Sequence, residues 1–407
     1  MTPTILFDLD DTLLLNRTDS FMPAYLQVLS GFLANRFKGD LLIQNLLFAT
    51  QKMLANTRPD RTLEQVFDSY FYPALGIERS EIQSDLDEFY GEIFPTLRPL
   101  TSVRPEAIRL VERVFEQGYR VAVATNPLFP RTAILQRLSW AGLPVTDYPF
   151  HLVSSYENFH FAKPNPAYFA EILAQLGWPE GPAIMVGNDE QNDTLPAQSA
   201  GLATFLIREI EPSSSPEWDT PHFQGNFRDI APWLDRFEGL HLQADCATAE
   251  SLRAVLVSTP AAFDILVRQQ PADQLLAKPA PGEWCLTEII CHLRDVTAEV
   301  DIPRVEKVLR EDNPFLPGMV TDPWAEQRGY CTQDGTKALA KLIDIRMQLI
   351  DLLAGLNPAD WDRPSRHAIF GPTNLRELVG FTATHDKTHI RQAMETIAAV
   401  AKSAAGG

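Results

Sequence analysis

The sequence predicts two domains of different fold class. Residues 1–240 are predicted to form an α/β domain with a doubly wound parallel sheet, and residues 247–402 an all-α four-helix bundle. Strand-like and helix-like segments alternate through the first half, which is typical of a parallel sheet covered by helices. The last part of the chain lacks this alternation and contains four long amphipathic segments. The length of 407 residues also favours two or three domains.

Short apolar segments of the first half are predicted strands: Ile5–Phe7, Arg120–Ala124, Phe150–Val153, Ala183–Val186 and Ala203–Ile207. Helices are predicted at Arg104–Gln117, Arg131–Trp140, Pro166–Leu176 and Leu195–Ala200. A glycine follows each of these helices closely, where a left-handed C-cap residue belongs. Together these elements predict a Rossmann-like sheet.

Residues at about 15–100 interrupt the alternation after the first strand. Their apolar spacing predicts helices in Phe21–Phe37, Leu41–Leu54 and Leu63–Leu75. We expect a helical insertion that lies over the C-terminal edge of the sheet.

The domain boundary is predicted near residues 240–247, after a last helix at Ile230–Phe237. The bundle helices are predicted at Ala249–Arg268, Leu286–Arg310, Lys337–Leu356 and Leu375–Val400. Asn374 and Glu377 have the spacing of a capping pair that opens the fourth helix.

The charge and composition of the chain argue against some classes of binding partner. The net charge of -18 argues against binding to nucleic acid or to an anionic membrane surface. The four cysteines form no C-x-x-C pair, and neither a signal segment nor a long apolar segment is visible. The sequence therefore predicts a reduced, cytoplasmic protein without a membrane partner.

A pair of carboxylates follows the first strand, in the sequence Phe7-Asp8-Leu9-Asp10-Asp11-Thr12-Leu13. Asp8 and Asp10 lie where open α/β sheets place their chemistry. Unpaired buried charge is costly, and a bound metal ion would remove that cost. This arrangement points to a metal site at the strand end.

Other polar groups follow later strands. Thr125 and Asn126 end the second predicted strand and could bind phosphate oxygens, and Lys163 precedes a helix and could neutralise phosphate charge. The fourth strand runs into Gly187-Asn-Asp-Glu-Gln-Asn-Asp193, whose acids could complete an oxygen site for Mg²⁺. Each group alone has an ordinary structural explanation, but their order and shared position favour a phosphoryl-transfer site.

The first 240 residues resemble the haloacid dehalogenase superfamily, whose four motifs correspond to the segments just described. The resemblance implies that Asp8 attacks phosphorus and forms an aspartyl-phosphate, and that Asp10 acts as acid and base. It also implies catalytic roles for Thr125 and Lys163. The implied cofactor is Mg²⁺. Asp10 favours phosphoryl transfer over dehalogenation, and the helical insertion corresponds to a substrate-selecting cap. The implied substrate is a small phosphorylated metabolite.

One position departs from the family pattern. Asn188 stands where the family usually has an aspartate after the glycine. Either Asn188 replaces that acid and leaves Asp193 as the outer ligand, or Asp189 supplies the contact. We favour Asp189 with Asp193. The expected Mg²⁺ ligands are thus drawn from Asp8, Asp10, Asn188, Asp189 and Asp193.

A second cluster lies in the predicted bundle. His385 and His389 are four residues apart on one helix face, and His292 lies on the apolar side of another helix. Residues at about 247–400 resemble the DinB-like family, whose metal triad maps onto these three histidines. The resemblance implies a divalent transition metal, Zn²⁺ or Ni²⁺, with open positions for water or a low-molecular-weight thiol.

The resulting hypotheses are three. The first is a Mg²⁺-dependent phosphatase in the N-terminal domain. The second places the main activity in the bundle, as a metal- and thiol-dependent transferase or hydrolase. The third makes the bundle a non-enzymatic ligand-binding or dimerisation module, which would give a homodimer.

Overall fold

The computed structural model describes residues 2–16, 18–209, 220–237 and 247–405. They form two compact units, one N-terminal and one C-terminal. Most of the boundary predicted near 240–247 lies outside the described residues. No described helix has the length and apolar character needed to cross a membrane.

The N-terminal unit is built on a six-stranded parallel sheet, which confirms the predicted fold class. Its strands stand in the order β5-β4-β1-β6-β7-β8, with β1 between β4 and β6. They are β1 (Thr4–Phe7), β4 (Arg120–Val123), β5 (Leu152–Val153), β6 (Ala183–Gly187), β7 (Ala203–Ile207) and β8 (His222–Gly225). The edge strand β8 was not predicted, because its sequence His-Phe-Gln-Gly has a single large apolar residue.

Helices cover the sheet close to the predicted positions. They are α5 (Pro105–Glu116), α6 (Arg131–Trp140), α7 (Pro166–Gln175), α8 (Leu195–Ser199) and α9 (Ile230–Phe237). The core between sheet and helices includes Ile5, Val121, Ile184, Phe205 and Trp233, all completely buried.

A helical cap is inserted after β1. It contains α1 (Thr18–Phe32), α2 (Gly39–Leu54), α3 (Leu63–Leu75) and α4 (Gln83–Glu88), followed by π and 3₁₀ turns up to Leu100. An antiparallel pair of two-residue strands, β2 (Leu14–Leu15) and β3 (Ser102–Val103), joins the two ends of the insertion. α3 begins with a capping box between Thr62 and Gln65 and ends at Gly76, which has a left-handed φ of 71°.

The C-terminal unit is a four-helix bundle. The bundle helices are α10 (Ala249–Arg268), α11 (Leu286–Val296) continued by a π turn into α12 (Ile302–Arg310), α14 (Gly335–Ala354) and α15 (Leu375–Ala405). α10 and α11 each pack against both α14 and α15. Asn374 and Glu377 make the predicted reciprocal cap, with hydrogen bonds of 2.9 and 3.0 Å.

A small sheet accompanies the bundle and was not predicted. Its strands are β9 (Phe315–Leu316), β10 (Pro364–His367) and β11 (Gly371–Asn374), and a short helix, α13 (Trp324–Gln327), lies in the connection before α14. The strands are only two to four residues long, and β10 and β11 consist of Pro, Gly and polar residues. They therefore lack the alternating apolar pattern by which a strand is recognised.

Candidate active site and metal centre

The ends of three neighbouring strands meet at one edge of the parallel sheet. Phe7, the last residue of β1, lies opposite Val123 of β4 and Val186 of β6. The Asp8 amide donates to the Val186 carbonyl at 2.9 Å, and the Ala124 amide donates to the Phe7 carbonyl at 2.7 Å. The polar residues after these strands are thereby held side by side.

Lys163 joins two of the predicted carboxylates. Its Nζ donates to Asp8 Oδ1 at 2.7 Å and to Asp193 Oδ1 at 2.5 Å. All three side chains are at least nine-tenths buried. Burial opposes the charge of Lys163, but Asp193 and Asp8 outweigh it and raise the pKa of the ammonium well above its ordinary value.

One ammonium cannot balance two buried carboxylates. Burial is the main cause that raises the pKa of Asp8 to about 7, and repulsion from Asp193 adds to it, although the charge and the hydrogen bond of Lys163 oppose the rise. When both carboxylates are ionised, Lys163 offsets the charge of one of them, and a bound cation would stabilise the other. Carboxylate and amide oxygens are the donors Mg²⁺ prefers, so the donor set fits such an ion.

Asp10 has different partners from Asp8. Its Oδ1 accepts from Asn16 Nδ2 and forms an ion pair with Arg137, whose side chain is only 3% exposed. Arg137 also lies over the rings of Phe21 and Phe129, 5.5 and 5.6 Å from their centroids. Burial lowers the pKa of Arg137 to about 10.

Arg137 was not recognised in the sequence. It lies on the apolar face of α6, among Ala133, Ile134, Leu138 and Ala141, all of which are buried. A lone basic residue at an apolar helix position was the available signal, because such a charge requires a buried partner.

Thr125 and Asn126 follow β4 as predicted. Thr125 is buried, and its carbonyl accepts hydrogen bonds from Ser154 Oγ at 2.8 Å and Tyr168 Oη at 2.7 Å. Asn126 Oδ1 is buried without a hydrogen-bond partner among the described residues. These contacts fix the backbone here and leave the Asn126 amide oxygen available to a ligand.

The acidic loop after β6 separates its two candidate acids. Asp193 turns back toward the strand ends, where its Oδ2 accepts from the Asp189 amide at 3.0 Å. A Cβ on Gly187 would lie 2.2 Å from that oxygen, so only glycine leaves room for Asp193.

Asp189 instead caps the turn that follows it. Its carboxylate accepts from the Gln191 and Asn192 amides at 2.9 and 3.0 Å and from Asn192 Nδ2 at 2.7 Å. Partial burial opposes its charge, but the bonds from Asn192 and Gln191 lower the pKa of Asp189. Asn188 Oδ1 accepts from Thr12 Oγ1 at 3.1 Å. The structure therefore groups Asp193, but not the Asp189 carboxylate, with Lys163 and Asp8.

The three predicted histidines of the bundle converge. His385 Nε2 lies 3.1 Å from His292 Nε2 and 3.1 Å from His389 Nε2. Tetrahedral ligands about 2.0–2.1 Å from a metal ion stand about 3.3 Å apart, close to this spacing. Among the described residues, the triad is the set of three His, Cys, Asp or Glu side chains whose potential ligand atoms all lie within 4.8 Å of one another.

The surroundings of the triad keep the imidazoles neutral and oriented. Burial and His389 lower the pKa of His292 to about 4, and burial with the neighbouring histidines lowers that of His385 to about 3. His389 Nδ1 pairs with Gln392 Oε1 at 2.8 Å, and the Trp284 ring stacks against His389. Neutral imidazoles held in this way are the form that binds transition metals.

Two acids near the triad differ in environment. Asp386, which lies between His385 and His389 in the sequence, is completely buried and paired with Arg346 through contacts of 3.0 Å. Glu283 is exposed and lines an open cleft of about 600 Å³ that reaches His389.

Comparison with known protein families gives one match in the N-terminal part of the chain and another in the C-terminal part. Residues 2–201 match the sequence model of the haloacid dehalogenase-like hydrolases, and residues 256–393 match that of the DinB superfamily. The chain is 34% identical over 116 residues to the ribulose-1,5-bisphosphate 5-phosphatase of Halopiger xanaduensis, covering 28% of this chain and 46% of that protein.

Two further relatives are more distant. The glyceraldehyde 3-phosphate phosphatase of Methanothermobacter thermautotrophicus is 28% identical, over 35% of this chain and 57% of that protein. The uncharacterized protein YuaE of Bacillus subtilis is 25% identical, over 30% of this chain and 83% of that protein. The chain thus spans about half the length of the two phosphatases. By its two matched regions, it joins a domain of the haloacid dehalogenase-like hydrolase family to a domain of the DinB superfamily.

Proposed function

We propose that the N-terminal domain is a Mg²⁺-dependent phosphatase of a small phosphorylated metabolite. The observation that carries the proposal is the buried bridge from Lys163 to Asp8 and Asp193 at the ends of adjacent strands. It holds one carboxylate at a fixed position where open α/β sheets bind their ligands. Two relatives named as phosphatases support the same reaction class.

The reaction would proceed in two displacements. Lys163 holds Oδ1 of Asp8, and Oδ2 attacks phosphorus while the bond from phosphorus to the substrate oxygen breaks. Asp10, which must begin this step as the carboxylic acid, gives its proton to the departing alkoxide. Asp10 then takes a proton from water, which attacks phosphorus and releases Asp8 and inorganic phosphate.

The residues around Asp8 would hold the metal ion. Asp8 and Asp193 offer carboxylate oxygens, and Asn188 offers an amide oxygen if its bond from Thr12 is exchanged. Asp10 and Asp189 remain predicted ligands, with Asp189 the weaker candidate since its carboxylate caps a turn. The ion supplies positive charge for the phosphoryl oxygens. The Thr125 hydroxyl and the backbone N–H of Asn126 would donate hydrogen bonds to phosphate oxygens beside it.

An assay of phosphate release tests this function. Intact protein with Mg²⁺ should release inorganic phosphate from phosphate monoesters, and Asp8→Asn should abolish release. Asp147→Asn, an exposed aspartate, is the matched control and should retain full activity. Unchanged release in the Asp8→Asn protein would contradict the proposal.

We further propose that the histidine triad is a divalent transition-metal centre. The Nε2 spacing of 3.1 Å and the cleft beside His389 support an ion with open coordination positions. Zn²⁺ or Ni²⁺ would suit three imidazoles. Such a centre could activate water or a low-molecular-weight thiol, and elemental analysis of the intact protein tests for it.

A further inference from the structure

A cavity of about 320 Å³ lies in the N-terminal unit, against Asp10 and Asn126. Its walls come largely from the cap, where α1, α2 and α3 contribute Leu29, Leu42 and Phe71. If the site handles a phosphate ester as proposed above, the cavity lies where the organic part of that ester would extend.

The charged groups of this cavity are already paired. Among the described residues that line it, the charged ones are Asp10 and Arg137, and they form an ion pair with each other. The cavity therefore offers no free charge to a second phosphate or carboxylate of a substrate.

Three hydroxyl groups of the lining are also satisfied from within the protein. The hydroxyls of Tyr25 and Tyr90 are hydrogen-bonded to each other at 3.0 Å, and Thr50 Oγ1 donates to the Leu46 carbonyl at 2.8 Å. Asn126 Oδ1 can accept a hydrogen bond from a ligand hydroxyl, but a sugar with several hydroxyls would lose more hydrogen bonds to water than these groups replace, which is costly.

We propose that the cavity binds a bulky apolar group, so that the substrate is the phosphate monoester of an apolar alcohol. This inference rests on the proposed phosphatase activity. With about 30 Å³ for each water-sized group, the volume admits roughly ten non-hydrogen atoms. The aromatic and aliphatic walls suit an aromatic ring or a branched hydrocarbon.

Two esters with similar alkoxide leaving groups test the substrate class on the intact protein with Mg²⁺. We expect kcat/KM for 2-naphthylmethyl phosphate to exceed that for glycerol 3-phosphate by about 50-fold, from the additional apolar surface buried. Equal values, or a preference for glycerol 3-phosphate, would overturn the inference while leaving the phosphatase proposal standing.

Filling the cavity provides a second test. Thr50→Phe should lower the ratio of the two kcat/KM values about tenfold, since it adds a ring inside the cavity. Gln51→Phe adds the same ring to the exposed neighbouring position on α2 and should leave the ratio unchanged. A ratio unaffected by Thr50→Phe would contradict the assignment.

Binding separates failure of the inference from failure of the phosphatase proposal. 2-Naphthylmethylphosphonate, which cannot be hydrolysed at an ester bond, should bind the wild type at least about tenfold more tightly than Thr50→Phe in calorimetric titrations. If neither ester is hydrolysed, the phosphatase proposal fails, and this difference in affinity still decides the cavity assignment. Equal affinities, or no binding, would overturn it.

Discussion

The guanidinium of Arg137 pairs with the carboxylate of Asp10, and both residues line the cavity of about 320 Å³ beside the cap helices. Asp10 is the proposed acid and base, and Asn16 donates to the same oxygen. Because that Oδ1 is occupied, proton transfer requires the other oxygen or a brief opening of the pair. Arg137 thus holds the carboxylate in position without being a catalytic residue.

Replacing Arg137 should therefore impair activity by releasing Asp10. We expect Arg137→Met to lower kcat about tenfold or more and to shift the pH profile of kcat, because Asp10 loses its cationic partner. Arg131→Met removes an exposed arginine from the same helix and should change neither quantity. The measurement is phosphate release across a range of pH.

A structural role alone would give a different result for Arg137. In that case Arg137→Met would lower the free energy of unfolding and the amount of active protein, but the pH profile of kcat would keep its shape. Retention of both kcat and the pH profile would contradict any role of the pair in positioning Asp10.

Protonation of Asp8 makes the metal-free protein pH-sensitive. Its pKa is about 7 in the fold, against an ordinary 3.8. Below the ordinary value both the folded and unfolded states hold the proton, and between the two values only the folded state does. The free energy of unfolding should therefore fall as the pH rises from about 4 to about 7 in the presence of a chelator.

Mg²⁺ should reverse this loss of stability. We expect it to raise the melting temperature more at about pH 8, where Asp8 is ionised, than at about pH 5. Asp8→Asn cannot titrate and should lose this difference between the two pH values. A Mg²⁺ effect that is equal at both, or that survives unchanged in Asp8→Asn, would argue against ion binding at Asp8.

Much of the site was predictable because strand ends are recognisable. The parallel strands and their following polar residues specify that Asp8, Thr125 and Gly187 meet at one edge of the sheet, whatever the loops between them do. The histidine triad was predictable from an i, i+4 pair and one apolar-face histidine, once a bundle was assumed.

Contacts between distant elements were not predictable in the same way. Nothing in the local sequence indicates that Arg137 reaches Asp10, or that Arg346 pairs with Asp386, since both contacts depend on how helices pack. The preference for Asp189 as a metal ligand stays a prediction, and the sequence did not indicate that backbone amides compete for its carboxylate. A side chain two residues before free backbone amides tends to cap the turn, and Asp189 does so.

Loss of triad histidines should remove a transition metal from the bundle. We expect the double variant His385→Ala, His389→Ala to retain no stoichiometric Zn²⁺ or Ni²⁺, and Gln392→Ala to bind the metal about 10–100-fold more weakly by releasing His389 Nδ1. Thr388→Ala, on an exposed position of the same helix, is the control. Undiminished metal in the double variant would disprove a metal centre at the triad.

The buried pair of Arg346 and Asp386 should dominate the stability of the bundle. Burial raises the pKa of Asp386, and Arg346 and Thr259 oppose that rise. Asp386→Asn removes the carboxylate that is hydrogen-bonded to Arg346 and should cost about 3 kcal/mol, whereas replacing both residues by leucine should cost less because the guanidinium is removed as well.

Hydrogen exchange of peptides from α14 and α15 measures this effect in the intact chain, separately from the N-terminal unit. Protection should fall most in Asp386→Asn, recover in part in the Arg346→Leu, Asp386→Leu variant, and stay unchanged in Asp344→Asn, an exposed change on α14. If the double variant is less protected than Asp386→Asn, the ion pair itself stabilises the bundle, beyond avoiding an isolated buried charge. The ion pair would then be required for the packing of the bundle around Arg346 and Asp386.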